Sequence, residues 1–167
     1  MTTIRRLCCN DLLDITDLTI HLDIPSLSLY LGNMALFPEC CLVVESPGNR
    51  IKGFICAYNW GDGKEKHCAI SQVSYMKESV VEMLVQALEE RAHKIHKVYY
   101  VRMKVPSDNQ QFLDLFKSMG YTPIKEKEYF DVGDRELIEP TILQKDLPAA
   151  HDRSDAANAL VLLQGDL

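Results

Sequence analysis

Residues 71–95 read SQVSYMKESVVEMLVQALEERAHKI, and two periodicities meet inside them. Ile70, Gln72 and Ser74 alternate with Ser71 and Val73, the period of a strand. From Val80 the apolar residues change to helical spacing: Val80, Val81, Leu84, Val85, Leu88, Ala92 and Ile95. A strand that runs directly into a long amphipathic helix leaves the first-turn N–H groups without intrahelical acceptors, and such groups favour an anion. The junction at residues 74–81 is therefore the candidate site for a phosphate-bearing cofactor.

On the N-terminal side, residues 3–7 have strand character, and Asn10 is placed to cap a helix whose inner face is Leu12, Leu13, Ile15 and Leu18. Asp23-Ile24-Pro25-Ser26 breaks it, and residues 27–34 form a second short helix. Residues 41–45 and 51–58 are strands joined by Ser46-Pro47-Gly48-Asn49-Arg50, a hairpin turn by residue type. Gly61-Asp62-Gly63-Lys64 makes the next turn and residues 66–73 the next strand. On the C-terminal side, residues 97–105 are a Val- and Tyr-rich strand stopped by Pro106 and Ser107. Residues 109–119 are a helix with Phe112, Leu115, Phe116 and Met119 inward, closed by Gly120. Residues 125–131 and 140–144 make a last pair of strands. From 147 to 167 little pattern remains beyond 156–163, so this segment reads as a tail. The order of elements specifies an α/β (α+β) domain: a mixed, mostly antiparallel sheet of about seven strands, with about four helices on its two faces.

The balance of residue types bounds the function. With 167 residues, 47% apolar and 25% charged, the chain suffices for one domain with a real core and is not of disordered composition. The formal net charge of -6 argues against broad nucleic-acid binding, which depends on clustered Lys and Arg. The sequence has no apolar run of membrane-spanning length and no signal-peptide pattern at Met1, so the expectation is a cytoplasmic protein with no membrane partner. Cys8, Cys9, Cys40, Cys41, Cys56 and Cys68 include two adjacent pairs and no C-x-x-C spacing. They read as small buried hydrophobes in a reducing compartment, not as a disulfide framework or a zinc site. His93 and His96 lack a third metal ligand at workable spacing, and a solvated helix end accounts for them. His67 and Cys68, adjacent on a strand, point to opposite faces and make no nucleophile–base pair.

Five blocks carry a resemblance. They are MTTIRRLCCNDLL at the start, then LYLGNMALFPE, VVESPGNRIKGFI, LEERAHKIHKVYYV and SDNQQFLDLFKSMGY. Through them the chain resembles the GNAT family of acyl-CoA-dependent N-acetyltransferases, and more narrowly the catalytic subunits of the NatB N-terminal acetyltransferase or a diverged paralogue of them. The resemblance implies a GNAT domain over residues 1–146 and a flexible tail over 147–167. It also implies acetyl transfer from acetyl-CoA to the N-terminal amine of proteins beginning Met-Asp, Met-Glu, Met-Asn or Met-Gln. The implied partners are a helical-repeat auxiliary subunit and nascent polypeptide N-termini at the ribosome. In such proteins the amine attacks the thioester directly, with a splayed strand for the pantetheine arm, a helix N-terminus for the pyrophosphate and a general base, often through water.

The family's pyrophosphate loop, Gln/Arg-x-x-Gly-x-Gly/Ala, falls on Met76-Lys77-Glu78-Ser79-Val80-Val81. The implied cofactor residues are Val73, Ser74, Lys77, Glu78, Ser79, Val80 and Val81, with Asn109 and Phe116 on the closing helix. This loop departs from the pattern. Met76 lacks the polar side chain, and Ser79 and Val81 carry side chains where the family keeps backbone room. Glu78 adds a charge that disfavours a pyrophosphate by about 0.3–1 kcal/mol, with Lys77 opposing it. Phe116 stands where the family often has a Tyr that protonates the leaving thiolate, and Phe has no proton to give. The resemblance assigns no catalytic base. On the substrate side, Asp23 falls where the family has a Glu near the amine, and His67 near a His that contacts the residue after Met. Tyr129, Phe130 and Asp131 fall near a Tyr pair that closes over the peptide. Plainer readings stand beside these: Asp23 and Asn109 as helix caps, His67 as a solvated strand-edge residue, Tyr129 and Phe130 as packing aromatics. Two outcomes stay open, a working acetyltransferase and a GNAT pseudoenzyme that binds the auxiliary subunit with impaired coenzyme A binding. Leu27, Leu29, Tyr30, Leu31, Met34, Leu36 and Phe37 exceed what one small helix needs for its own core and form the candidate partner face.

Overall fold

The computed structural model describes residues 2–16, 18, 24–125 and 140–148. The strands are β1 (Thr3–Arg6), β2 (Cys41–Ser46), β3 (Arg50–Trp60), β4 (His67–Tyr75), β5 (Tyr100–Pro106), β6 (Thr122–Ile124) and β7 (Pro140–Asp146). They form a 7-stranded sheet in the order β1-β2-β3-β4-β5-β7-β6. Neighbours are antiparallel except β4 and β5, which are parallel and joined through a helix. The α-helices among the described residues are α1 (Leu12–Thr16), α2 (Ile24–Leu36), α3 (Glu78–His96) and α4 (Gln110–Ser118).

Local chemistry explains the best-defined elements. In the β2–β3 turn Gly48 and Asn49 take φ of 85° and 59°, left-handed values that Gly and Asn adopt most readily. β2 is buried on both faces, which is why Cys41, Leu42, Val43 and Val44 make an unbroken apolar run. Leu42 and Val44 join Val81, Leu84, Leu88 and Phe116 in one core, while Cys41 and Val43 join Ile15, Tyr30 and Phe54 in the other. The stripe of α3 is buried from Val80 to Ala92.

Several expectations are corrected. Ile95 is 52% exposed, because it falls in the last turn of α3, just before Lys97 (φ 55°) turns the chain away in the left-handed conformation. That break also delays β5 to Tyr100. Leu13 is 80% exposed. A tight 3-10 turn over Cys9–Asp11 precedes α1, and within α1 Leu13 lies about 200° around the helix from the fully buried Ile15, so the two cannot share one face. The turn is capped from Cys8 and not Asn10: the Asp11 carboxylate accepts the Cys8 amide at 2.8 Å and pairs with Arg5 at 2.7 Å. Pro25 lies inside α2 instead of ending a break, since a first-turn N–H has no helical acceptor to lose. The strand described beside β7 is Thr122–Ile124; of the strand expected over 125–131, residues 126–131 lie outside the described residues. Cys40, Cys41, Cys56 and Cys68 are buried and free, but Cys8 and Cys9 are exposed on that first turn.

Candidate active site

β4 and β5 part company halfway along. They pair only over His67–Ile70 and Tyr100–Met103. Beyond Ile70, β4 continues to Tyr75 against β3, while β5 continues to Pro106 against β7. In the gap lies a hollow of about 330 Å³, walled by Gln72, Val73 and Tyr75 on one strand, Lys104 and Pro106 on the other, and Asn109 and Phe112 at the start of α4. A larger hollow of about 680 Å³ is walled by Leu29, Trp60, His67, Tyr100 and Arg102, among others. Ser71, Met103 and Lys104 line both, so the two hollows meet where the strands separate.

Ser71 marks that point in the backbone as well. Gln72 is registered with Cys56 and Ile70 with Ala57, so Ser71 is an extra residue on β4, a bulge. The ladder to β5 also ends at Ile70. Backbone groups at a bulge leave the ladder and become available to a bound group. The Ser71 hydroxyl accepts from Asn33 Nδ2 at 3.1 Å and donates to the Cys56 carbonyl at 2.9 Å. Neither Ser71 nor Asn33 stands out in the sequence as a site residue, because a one-residue register shift leaves the strand's alternation looking ordinary.

The residues expected at the cofactor side gather around the smaller hollow. α3 starts at Glu78 after an extended Lys77 that lends no side-chain cap, though its carbonyl accepts the Val80 amide at 2.9 Å. Lys77, Glu78 and Ser79 are exposed. The Val80 and Val81 side chains turn into the core beneath the helix, and Val81 is fully buried. A Cβ on Gly53 would stand 2.6 Å from Val80 Cγ1 and 2.8 Å from the Ser74 carbonyl, so only glycine lets β3 accept this packing. Gln111 Nε2 donates to Glu78 Oε1 at 2.8 Å, tying the start of α3 to the start of α4. Asn109 does two things: its Oδ1 accepts the Phe112 amide at 3.2 Å, and it lines the hollow. Phe116 is fully buried and lines neither hollow. The wall belongs to Phe112, stacked on Tyr75 at 6.0 Å and backed by Phe116 at 5.0 Å. Burial, then the Glu78 carboxylate, pushes the Tyr75 phenol up, so it stays protonated. It lies roughly 13 Å along β4 from Ser71 at the usual strand rise, far from the meeting point.

The larger hollow has an ordered aromatic wall. The His67 ring stacks on Tyr100 at 5.0 Å, and the Arg102 guanidinium lies 4.7 Å from the Tyr100 centroid. Tyr100 Oη donates to Glu65, and His67 Nδ1 lies 2.9 Å from the Glu65 carbonyl. A carbonyl only accepts, so Nδ1 carries a proton in this contact and Nε2 is left facing the hollow's other groups. Trp60 is 68% exposed and Leu29 48%, giving this hollow an apolar side open to solvent. Sequence reading singles out His67 but misses Tyr100 and Arg102. Their inward placement depends on which side of β5 is left open. Asp23, Tyr129 and Phe130 lie outside the described residues.

No protein-family model matches the chain. Among solved structures, the fold is similar to Chaetomium thermophilum Naa20 in complex with a bisubstrate analogue, at TM-score 0.66 and 21% identity over 91% of this chain and 89% of that one. It is likewise similar to the NatB acetyltransferase complex bound to CoA and MES, at TM-score 0.72 and 19% identity, covering 87% of this chain and 99% of that one. A mixed seven-strand sheet that splays at its one parallel pair, with a helix starting beside the opening, defines the GNAT class of N-acetyltransferases. In sequence, the chain is 34% identical over 127 residues to the N-terminal acetyltransferase B complex catalytic subunit NAA20 of Arabidopsis thaliana, covering 72% of this chain and 73% of that protein. It is 26% identical over 156 residues to N-alpha-acetyltransferase 20 of Dictyostelium discoideum, covering 89% of this chain and 87% of that protein. The chain belongs to the family of NatB catalytic subunits, the NAA20 proteins.

Proposed function

We propose that this chain moves the acetyl group of acetyl-CoA to the N-terminal amine of proteins beginning Met-Asp, Met-Glu, Met-Asn or Met-Gln. It does so as the catalytic subunit of a NatB-type complex. The observation that carries this reading is the meeting of the two hollows at Ser71, Met103 and Lys104. One hollow takes the pantetheine arm, the other the peptide, and the junction is where thioester and amine come together. The bound cosubstrate supplies an activated acyl carbon: the amine nitrogen forms a C–N bond there, the C–S bond breaks, and the proton lost by the amine balances the one gained by the thiolate.

The chain's own residues orient these groups. Val73 and Ser74 on β4 and Asn109 on α4 flank the arm, with Phe116 behind Phe112. Lys77, Glu78, Ser79, Val80 and Val81 form the start of α3 that takes the diphosphate, with the Glu78 and Ser79 amides as donors, since the Val80 amide already donates to the Lys77 carbonyl at 2.9 Å. Backbone amides at a helix start suit an anion, and the buried valine side chains leave those amides unobstructed. Bulge groups at Ser71 meet the thioester carbonyl, the kind of preorganised dipole that stabilises developing charge. On the peptide side, His67 reads the residue after Met, and the resemblance alone assigns Asp23 to the amine and Tyr129 and Phe130 to the pair that covers the peptide. The working domain spans residues 1–146, with 147–167 as a tail. The auxiliary subunit is a helical-repeat protein that docks on α2 and brings the chain to nascent N-termini at the cytoplasmic ribosome.

A second reading has its own observation. Glu78 places a carboxylate where a diphosphate is to bind, which favours a pseudoenzyme with impaired coenzyme A binding. Titrating the chain with acetyl-CoA by calorimetry, with and without the auxiliary subunit, separates the two readings. Binding, together with acetylation of a Met-Asp peptide over a Ser-Ala peptide, is the result expected. Complex formation with neither binding nor turnover supports the pseudoenzyme.

A further inference from the structure

Asn33 and Asp11 are the buried polar residues among the described residues, at 6% and 4% exposure. Arg5 and the Cys8 amide account for Asp11. Asn33 instead reaches out of its own helix: its amide donates to Ser71 on β4, whose hydroxyl donates to Cys56 on β3. Cys56 sits where the β3–β4 register shifts. An amide NH₂ can only donate and a carbonyl can only accept, so the hydroxyl between them has one orientation. The bulge residue is thereby gripped from α2 on one side and β3 on the other.

We propose that Asn33 is a positioning residue for acetyl transfer, acting through the Ser71 hydroxyl to set the bulge at the junction of the two hollows. This rests on the acetyltransferase reading above. A fixed hydroxyl holds the Ser71 Cα, and with it the backbone groups on either side, at the place where cosubstrate and peptide meet. Small misplacements of such groups lower the rate steeply while leaving ligand contacts elsewhere intact. The role therefore predicts a loss in kcat, not in binding.

The test compares Asn33→Ala, Ser71→Ala, the double variant and Ser71→Thr, each in complex with the auxiliary subunit. Asn33→Ala and Ser71→Ala are each expected to lower kcat by about 10-fold or more, with peptide KM and acetyl-CoA Kd within about 2-fold of wild type. The double variant is expected to be no slower than Ser71→Ala, because both substitutions cut one chain of bonds. Ser71→Thr, which keeps the hydroxyl, is expected to retain kcat within about 3-fold. A merely structural role would lower the melting temperature and leave kcat per folded molecule unchanged. If Asn33→Ala does not fold, the contrast between Ser71→Ala and Ser71→Thr decides. Full kcat in folded Asn33→Ala or Ser71→Ala, or losses that multiply in the double variant, overturns the proposal while wild-type turnover stands. Absence of turnover in the wild-type complex removes the acetyltransferase reading itself, and this proposal with it.

Discussion

Replacing Glu78 with Gln separates charge from shape at the start of α3. The Gln111 Nε2 to Glu78 Oε1 hydrogen bond of 2.8 Å survives, since a glutamine oxygen still accepts it. What disappears is one negative charge in an exposed first turn. That charge has two effects of opposite sign. It interacts favourably with the helix end, by about 0.3–1 kcal/mol, so Glu78→Gln is expected to lower the melting temperature of the free protein by roughly 1–4 °C. It competes with a diphosphate for the same amides by a similar amount, so the variant is expected to bind acetyl-CoA about 2- to 5-fold more tightly. The assay is calorimetric titration at low and high salt, with S-acetylpantetheine, which has no phosphate, as the control. The gain is expected with acetyl-CoA only and shrinks at high salt, where exposed charges are screened. Unchanged acetyl-CoA affinity, or an equal gain for S-acetylpantetheine, refutes the claim that carboxylate and diphosphate share the start of α3.

Other perturbations follow from the same geometry. Gly53→Ala drives a methyl into Val80 and the Ser74 carbonyl, at 2.6 and 2.8 Å. It is expected to cost about 1–3 kcal/mol, read as a loss of several degrees in melting temperature. His67→Phe keeps an aromatic ring against Tyr100 but removes Nε2; KM for a Met-Asp peptide is expected to rise about 3- to 10-fold with acetyl-CoA Kd unchanged, an equal rise for both weighing against peptide reading. Burial raises the Asp11 carboxyl, but the Arg5 guanidinium and the Cys8 amide outweigh it and hold the group below the usual carboxylate range. Asp11 therefore adds stability above its unfolded pKa of about 3.9 that is lost as the pH falls through its folded value. Asp11→Asn should flatten acid denaturation below about pH 4 in a pH series of urea melts. For the auxiliary subunit, Leu31→Asp with Leu36→Asp is the sharper disruption, because these residues are 40% and 73% exposed, whereas Met34 packs against the core. Lost co-purification with an unchanged melting temperature is expected; retained binding places the partner elsewhere.

Much of this architecture is written in short-range patterns. The stripe of α3, the Gly48-Asn49 reversal, the Asn109 cap and the order of strands and helices each depend on a few neighbouring residues. Their periods and turn conformations are properties of the local backbone. The candidate anion end at Lys77–Ser79 was legible for the same reason: a strand pattern passing straight into a helical one exposes first-turn amides wherever it folds. The family resemblance then supplied the chemistry proposed for those amides.

Other features exist only once distant segments lie side by side. The separation of β4 from β5 depends on β5 choosing β7 as its second neighbour, a choice between segments far apart in the chain. Ser71 becomes a bulge only because β3 shifts register opposite it, and Asn33 matters only because α2 packs over that shift. Phe116 hides behind Phe112 because Tyr75 takes the stacking position at the rim. The Val81 side chain turns away from the helix start because the sheet lies beneath it and draws it inward. Periodicity tells which face of an element is apolar. It does not tell which neighbour covers that face or where two strands cease to bond, and the candidate active site of this protein lies where they cease.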